Sequence, residues 1–462
     1  MQLKVALPVM NNARWLFAIF FAALLLLSDC SYVISDEWHY FLLTEALVTR
    51  ASITLPAAQY HALSAPPVAE TIFLPTRFPI GYPLAAVPVY CLLRAGAAIA
   101  GSSDYSVVAG CIEIANAAFT ALLLVLLAQL LAQRFGQPRR SALIAAAAGC
   151  GTILLHYARS NFSESLQALL LFAAVMLLLT RPVLHDRRAA LWFGFCLGWL
   201  LLTKFIFLLF VPLLYLWAAR RWSASGRRRH LLTTALPLLA FLALGGAYNY
   251  ARTGDWFDFY YPETYTDTVA GTSITVPQNF SDSPWHGLAG YLFSPSKSIF
   301  LTSPLLLLAL PGLFYWRQQR LDAACLLLLI AGYVLLFACF TGWEGGVCWG
   351  PRFLVPLVPL FMLLAAPVFY APQRILRRLV WLLAAASVLL QLFIAGSNST
   401  AALLAARPHY SIGRFYPLSL NPYPPMVAQY RRMLHPATPP PANIFFLRMA
   451  DPYRPAFWWW TR

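Results

Sequence analysis

Charge is what this sequence has least of. Only 11% of its 462 residues are charged, against about a quarter in soluble globular proteins. That scarcity excludes a disordered chain and an ordinary cytosolic enzyme. Acids are scarcest, 17 against 33 basic residues, for a net charge of +16. The 8 cysteines are scattered, with no Cys-x-x-Cys pair and no Cys/His cluster. A structural metal centre is therefore not expected, and the thiols read as small buried groups. The chain has no Gly-x-Ser-x-Gly elbow, His-Glu-x-x-His pair, phosphate loop, dinucleotide fingerprint or kinase signature. No internal repeat stands out, which weighs against the repeat-built transporter folds.

What the sequence does have is apolar length. It is 60% hydrophobic, with a mean hydropathy of +0.64. A bilayer is spanned by about 17–25 apolar residues in a helix. Eleven runs answer that description: 15–34, 107–132, 141–158, 165–180, 190–203, 205–219, 231–249, 299–316, 322–341, 353–371 and 379–396. The expectation is an all-α polytopic membrane protein of about 11 transmembrane helices. The pair 190–203 and 205–219 is short and reads as a kinked hairpin or two half-helices. The first run follows Lys4 and Arg14 as a signal peptide would, but no small-residue cleavage site follows it. It reads as a retained helix.

Gly81–Ile99 is apolar as well. Were it a span, QRFGQPRR (133–140), with Arg134, Arg139 and Arg140, would fall outside. Short basic loops stay in the cytoplasm, so 81–99 reads as a helix lying at the outer interface. The other basic loops then fall inside: RPVLHDRR (181–188), RRWSASGRRRH (220–230), RQQR (317–320) and QRILRR (373–378). Topology thus accounts for much of the positive charge, and nucleic acid is not an expected partner. The organisation expected is a transmembrane catalytic unit over 1–396 and a Pro-rich tail over 397–462, placed outside. Outer segments fill 35–106, with interfacial helices, and 250–298.

The candidate chemistry lies on the outer side. Ser35–Asp36–Glu37–Trp38–His39–Tyr40 directly follows the first span. Adjacent carboxylates there can accept a proton or bind a divalent metal such as Mg or Mn; Asp36 also fits a helix N-cap. Arg159, Lys204, Lys297 and Arg352 sit at outer ends of different apolar runs. Cations at membrane depth usually have a partner or a function, and together these could hold a phosphate. Snorkelling to the interface is the competing reading of each. GWEGGVCWGPR (342–352) supplies Trp343, Glu344 and Trp349, whose rings could stack on a sugar or cover a lipid chain; a Gly-rich turn is its plain reading. Loop 250–298, with Tyr260, Tyr261, Tyr265, Asp255 and Asp258, reads as a cover.

In order along the chain, SDEWHYFLLTEAL, RFPIGYPLAAVPVY, YARSNFSESLQALLLFAA, LGWLLLTKF, NYARTGDW and CWGPRFLVPLVPL resemble the GT-C superfamily. These are membrane glycosyltransferases that use polyprenyl-phosphate sugars. The likeness covers roughly 15–370 and is nearest to the lipid A aminoarabinose transferase and protein O-mannosyltransferase families. It implies inverting transfer of a hexose or pentose to an acceptor hydroxyl on a glycan, lipid or protein at the outer face of a bacterial inner membrane, serving the cell envelope. It implies Asp36 as general base and Glu37 as its partner or a metal ligand. Lys204 and Arg352, with Arg159 and Lys297, would hold the donor phosphate. His39, Tyr82, Glu164, Trp343, Glu344 and Trp349 would contact substrate. The alternative from the residues alone is a transporter or flippase. Against it, the middles of the spans are almost uniformly apolar, where a transporter places ionisable residues.

Overall fold

The computed structural model describes residues 10–28, 35–56, 73–101, 108, 112–180, 187–222, 226–258, 264–269, 272–277, 279–294, 297–346 and 348–395. Where they are described, all eleven apolar runs fall mainly on helix. Their order is α1 Met10–Leu26, α2 Ser35–Thr49, α3 Gly81–Ile99, α4 Ile114–Phe135, α5 Pro138–Cys150, α6 Leu154–Ala158, α7 Glu164–Leu179, α8 Arg187–Thr203, α9 Val211–Arg221, α10 Arg227–Thr253, α11 Pro284–Phe293, α12 Arg320–Ala338, α13 Val358–Phe369 and α14 Arg374–Ala395. Between α11 and α12 runs a chain of short helical pieces from Ile299 to Gln319. Two small antiparallel ribbons complete the list, Thr54–Pro56 with Phe73–Pro75 and Thr264–Val269 with Thr272–Pro277.

The spans are less regular than eleven full-length helices. Among the described residues, six helical stretches are long and apolar enough to cross a bilayer alone: 81–99, 114–135, 227–253, 304–338, 352–369 and 374–395. Length and composition thus suit a crossing for α3 too, besides the interfacial position read from loop charge. The 304–338 stretch breaks at Gln319 (φ −122°, ψ 51°), within the basic RQQR turn. The 190–219 region breaks at Lys204, whose backbone is extended (φ −155°, ψ 107°) before a 3-10 turn, Phe205–Phe210, leads into α9. Pro212 sits in the first turn of α9, where its missing N–H costs nothing.

The centre of the bundle is the stretch 352–369, in which every residue but the half-buried Phe361 is buried. It opens as a 3-10 turn, Arg352–Leu357, and continues as α13. Around it pack α4, α5, α7 and α12. At the periphery α8 crosses α10 closely because Gly194 has no side chain. A Cβ there would lie 2.1 Å from the Thr234 carbonyl oxygen. Small residues at such crossings let backbones approach where lipid offers no hydrophobic drive.

The ends of the helices separate the charges. At one end, Arg221 pairs with Asp322, Trp217 Nε1 donates to Asp322 Oδ1 at 2.9 Å, and Arg134 lies on the Trp316 ring at 3.9 Å. These residues lie in, or directly beside, the loops read as cytoplasmic. Asp36, Glu164, Lys204 and Arg352 gather at the opposite end. The protein is a multi-pass, all-α membrane protein with the Asp36 cluster and the basic loops at opposite ends of one bundle.

Candidate active site

The second helix delivers the first-loop acids. Asp36 and Glu37 occupy the first turn of α2, where the helix dipole favours negative charge. Asp36 Oδ2 accepts from Arg352 Nη1 at 2.8 Å, and Arg77 Nη2 reaches Oδ1 at 3.5 Å. Arg352 opens the buried central stretch. Its Nε donates to Glu164 Oε1 at 2.8 Å, and its guanidinium lies 3.9 Å from the Phe162 ring centre. Glu164 opens α7 and is 1% exposed, and its Oε2 has no hydrogen-bond partner among the described residues.

Lys204 lies at the same cluster, close enough to feel Glu164, Arg352 and Asp36 electrostatically. Its Nζ is 4.7 Å from the Phe353 ring and 5.6 Å from Phe337. Its Nζ makes no hydrogen bond among the described residues. An ammonium cushioned on two aromatic faces is held in place yet keeps its donors available.

A polar loop between α6 and α7 ties the carboxylates down. Asn161 N–H donates to Glu37 Oε1 at 2.9 Å, and its Nδ2 donates to the Glu37 carbonyl at 2.8 Å. Tyr82 Oη donates to Asn161 Oδ1 at 2.6 Å, and Tyr40 Oη to Ser163 Oγ at 3.2 Å. Asn116 Nδ2 donates to the Phe162 carbonyl at 2.6 Å. Burial pushes the Asp36 carboxyl up, but the Arg352 and Arg77 charges outweigh it and hold it below the usual range. Burial pushes the Tyr40 phenol up, and the Glu164 charge adds to it. At neutral pH the cluster holds an ionised Asp36 and a neutral Tyr40.

No protein-family model matches the chain, and no curated protein matches it. Among solved structures, the crystal structure of ArnT from Cupriavidus metallidurans in the apo state superposes with a TM-score of 0.53. Sequence identity is 14%, over 88% of this chain and 67% of that one.

The chain has the ArnT fold.

That agrees with the GT-C resemblance drawn from the sequence. The ArnT-like bundle brings Asp36, Glu37, Tyr82, Glu164, Lys204 and Arg352 to one place. His39, 5% exposed, is close by, with its ring 5.3 Å from that of Phe78. Other candidates lie elsewhere. Arg159 Nη1 donates to the Ala395 carbonyl at the end of α14, at 3.1 Å. Lys297 Nζ donates to the Gly346 and Cys348 carbonyls, both at 2.7 Å. Trp343 is 2% exposed and packs edge-on to Tyr291 at 5.4 Å. Trp349 is 1% exposed, and its carbonyl accepts from Tyr157 Oη at 3.1 Å. Glu344 sits in the loop above, where burial pushes its carboxyl up. Tyr260, Tyr261 and the side chain of Tyr265 lie outside the described residues, as does the tail 397–462; Asp255 Oδ1 accepts from Phe257 N–H at 2.9 Å.

Two residues of the cluster escaped the sequence reading. Arg77 precedes an apolar helix just as Arg352 does, so the rule that found Arg352 would have found it. Asn161 carries no charge, and nothing in the sequence marks it. The Asp36–Glu37 pair does not fit a divalent cation. Two guanidiniums crowd Asp36, and Glu37 Oε1 is engaged by Asn161. Among the described residues no three His, Cys, Asp or Glu side chains gather as a metal site.

Proposed function

We propose that the protein is an integral-membrane glycosyltransferase of GT-C type, moving a sugar from a polyprenyl-phosphate carrier to an acceptor hydroxyl at the outer face of a bacterial inner membrane. The observation that carries this reading is the Asp36 cluster. One ionised carboxylate lies between Arg352 and Arg77, with the Lys204 ammonium within electrostatic reach. That is one base and three cations at the outer end of a lipid-facing bundle. The ArnT fold supports it.

In this mechanism the donor phosphate binds between Arg352, Arg77 and Lys204. It competes with Asp36 for the guanidiniums, so the carboxylate becomes more basic as the donor seats. Asp36 then takes the acceptor hydroxyl proton. The acceptor oxygen forms its bond to the anomeric carbon while the carbon–oxygen bond to the lipid phosphate breaks, with inversion. The departing phosphate keeps the electron pair, and the cations stabilise its charge as it develops. Glu164 holds Arg352 in register, and Glu37 fixes the Asn161 loop. No step passes through a metal.

The test is transfer from a panel of radiolabelled polyprenyl-phosphate sugars to membrane acceptors. Asp36→Asn should abolish transfer while the protein still inserts. Lys204→Met should lower kcat by roughly a hundredfold, the scale for losing one group that stabilises developing charge. If wild type consumes no donor, and reconstituted protein moves a lipid or solute across liposomes instead, the transferase reading is wrong.

A further inference from the structure

Arg77 differs from Arg352 in how it is held. Arg352 is 7% exposed, bonded to two carboxylates and stacked on Phe162. The Arg77 side chain is 23% exposed and meets Asp36 at 3.5 Å. Its position depends on the bent, non-helical segment between the ribbon residue Pro75 and the start of α3. That segment is gripped from far away in sequence. Tyr248 Oη donates to the Phe78 carbonyl at 2.8 Å, and Arg252 Nη1 donates to the Thr76 carbonyl at 2.8 Å. These two carbonyls flank Arg77 on either side.

The two gripping residues are themselves braced. Arg252 lies over the Tyr248 ring at 4.4 Å, and its Nη2 donates to Asn249 Oδ1 at 2.5 Å. Asn249 Nδ2 reaches the Trp256 carbonyl at 3.3 Å, beyond the left-handed Gly254 that ends α10. Tyr248 and Asn249 are 6% and 5% exposed. All of this belongs to NYARTGDW and the tyrosine before it, a motif for which the proposed reaction gives no role.

We propose that Tyr248 and Arg252 are positioning residues for the reaction: they clamp the main chain on both sides of Arg77 and so set how its guanidinium meets Asp36 and a lipid phosphate. The proposal rests on the transferase reading. Through Asn249 and Trp256 the clamp connects the site to the outer segment that follows α10.

The experiment uses the full chain in nanodiscs and undecaprenyl monophosphate as the probe, with undecaprenol as the control for tail binding alone. Arg252→Gln and Tyr248→Phe should each weaken phosphate binding roughly three- to tenfold, the scale of one lost hydrogen bond. In an Arg77→Gln background the same changes should have less than about a twofold effect, because residues acting through one another are not additive. Arg252→Lys, which can still donate to the Thr76 carbonyl, should recover binding. Losses of the same size with and without Arg77, or no loss at all, overturn the clamp. Wild type that binds undecaprenyl phosphate no better than undecaprenol overturns the transferase reading and the clamp with it. Tyr248→Phe removes a single hydroxyl, so it decides the matter even if the Arg252 variants misfold.

Discussion

Arg352 stands between Asp36 and Glu164, its Nη1 2.8 Å from the first carboxylate and its Nε 2.8 Å from the second. One guanidinium thus joins α2, α7 and the central helix. Truncating one partner of a buried pair is costly because the other charge stays buried and uncompensated. Arg352→Gln leaves Glu164, 1% exposed, in that state. It should cost about 3–5 kcal/mol. Arg352→Lys keeps the charge but loses the fork that serves both acids, so it should fall in between. Thermal unfolding in detergent ranks the three, and a Gln variant as stable as wild type would contradict the bridge.

Asp36 predicts a pH dependence. Its folded pKa lies below the usual carboxylate range, because the Arg352 and Arg77 charges outweigh burial. A depressed acid contributes stability that is present above the unfolded pKa, about 4, and lost as pH falls through the folded value. The melting-temperature gap between wild type and Asp36→Asn should therefore be flat from neutral pH down to about 5 and close only in stronger acid. A gap that closes near neutrality would contradict the ion pairs.

Glu344 should behave in the opposite way. Burial pushes its folded pKa up, against the opposing pull of its own backbone N–H and the Lys297 charge. A raised acid contributes stability that is present below the unfolded pKa and lost as pH rises through the folded value. Glu344→Gln should raise the melting temperature at neutral and alkaline pH and do little in acid. Equal stability of the two proteins at pH 8 would show that Glu344 is solvated.

Gly290 tests the packing of the outer loop. A Cβ at that position would lie 2.0 Å from the Trp343 ring. Gly290→Ala should destabilise by about 1–3 kcal/mol, as overpacking does. Adding Trp343→Phe should return part of that loss by withdrawing the six-membered ring of the indole. If the two changes simply add, the helix and the ring do not touch as described.

The helices were legible because the apolar runs recur along the chain and basic loops set many of them apart. The break at Lys204 was legible because a cation interrupts two apolar stretches, and α8 does end there. The joining of Asp36 to Arg352 was only half legible. Each was marked as an outer charge beside a span, but nothing in one sequence says which outer charges meet. Lys297 shows why. It precedes a span just as Arg352 does, yet its ammonium is spent on the Gly346 and Cys348 carbonyls. Arg159 is spent likewise on a helix end. Asn161 was invisible for another reason. Its role is to join the main chain of one loop to the side chain and main chain of another helix, and a neutral amide in a polar loop advertises neither.

The Arg159 contact also bears on how the protein is made. Residues 159–164 carry the Asn161 amide that seats Glu37 and the Glu164 carboxylate that seats Arg352. The same loop is fastened, through Arg159, to the carbonyl of Ala395 on α14. The ribosome makes α14 after every other described helix. The first-loop acids are therefore translated long before the helix to which their bracing loop is tied. A chain stalled before α14 carries every charged residue of the cluster but lacks the Ala395 carbonyl that Arg159 meets.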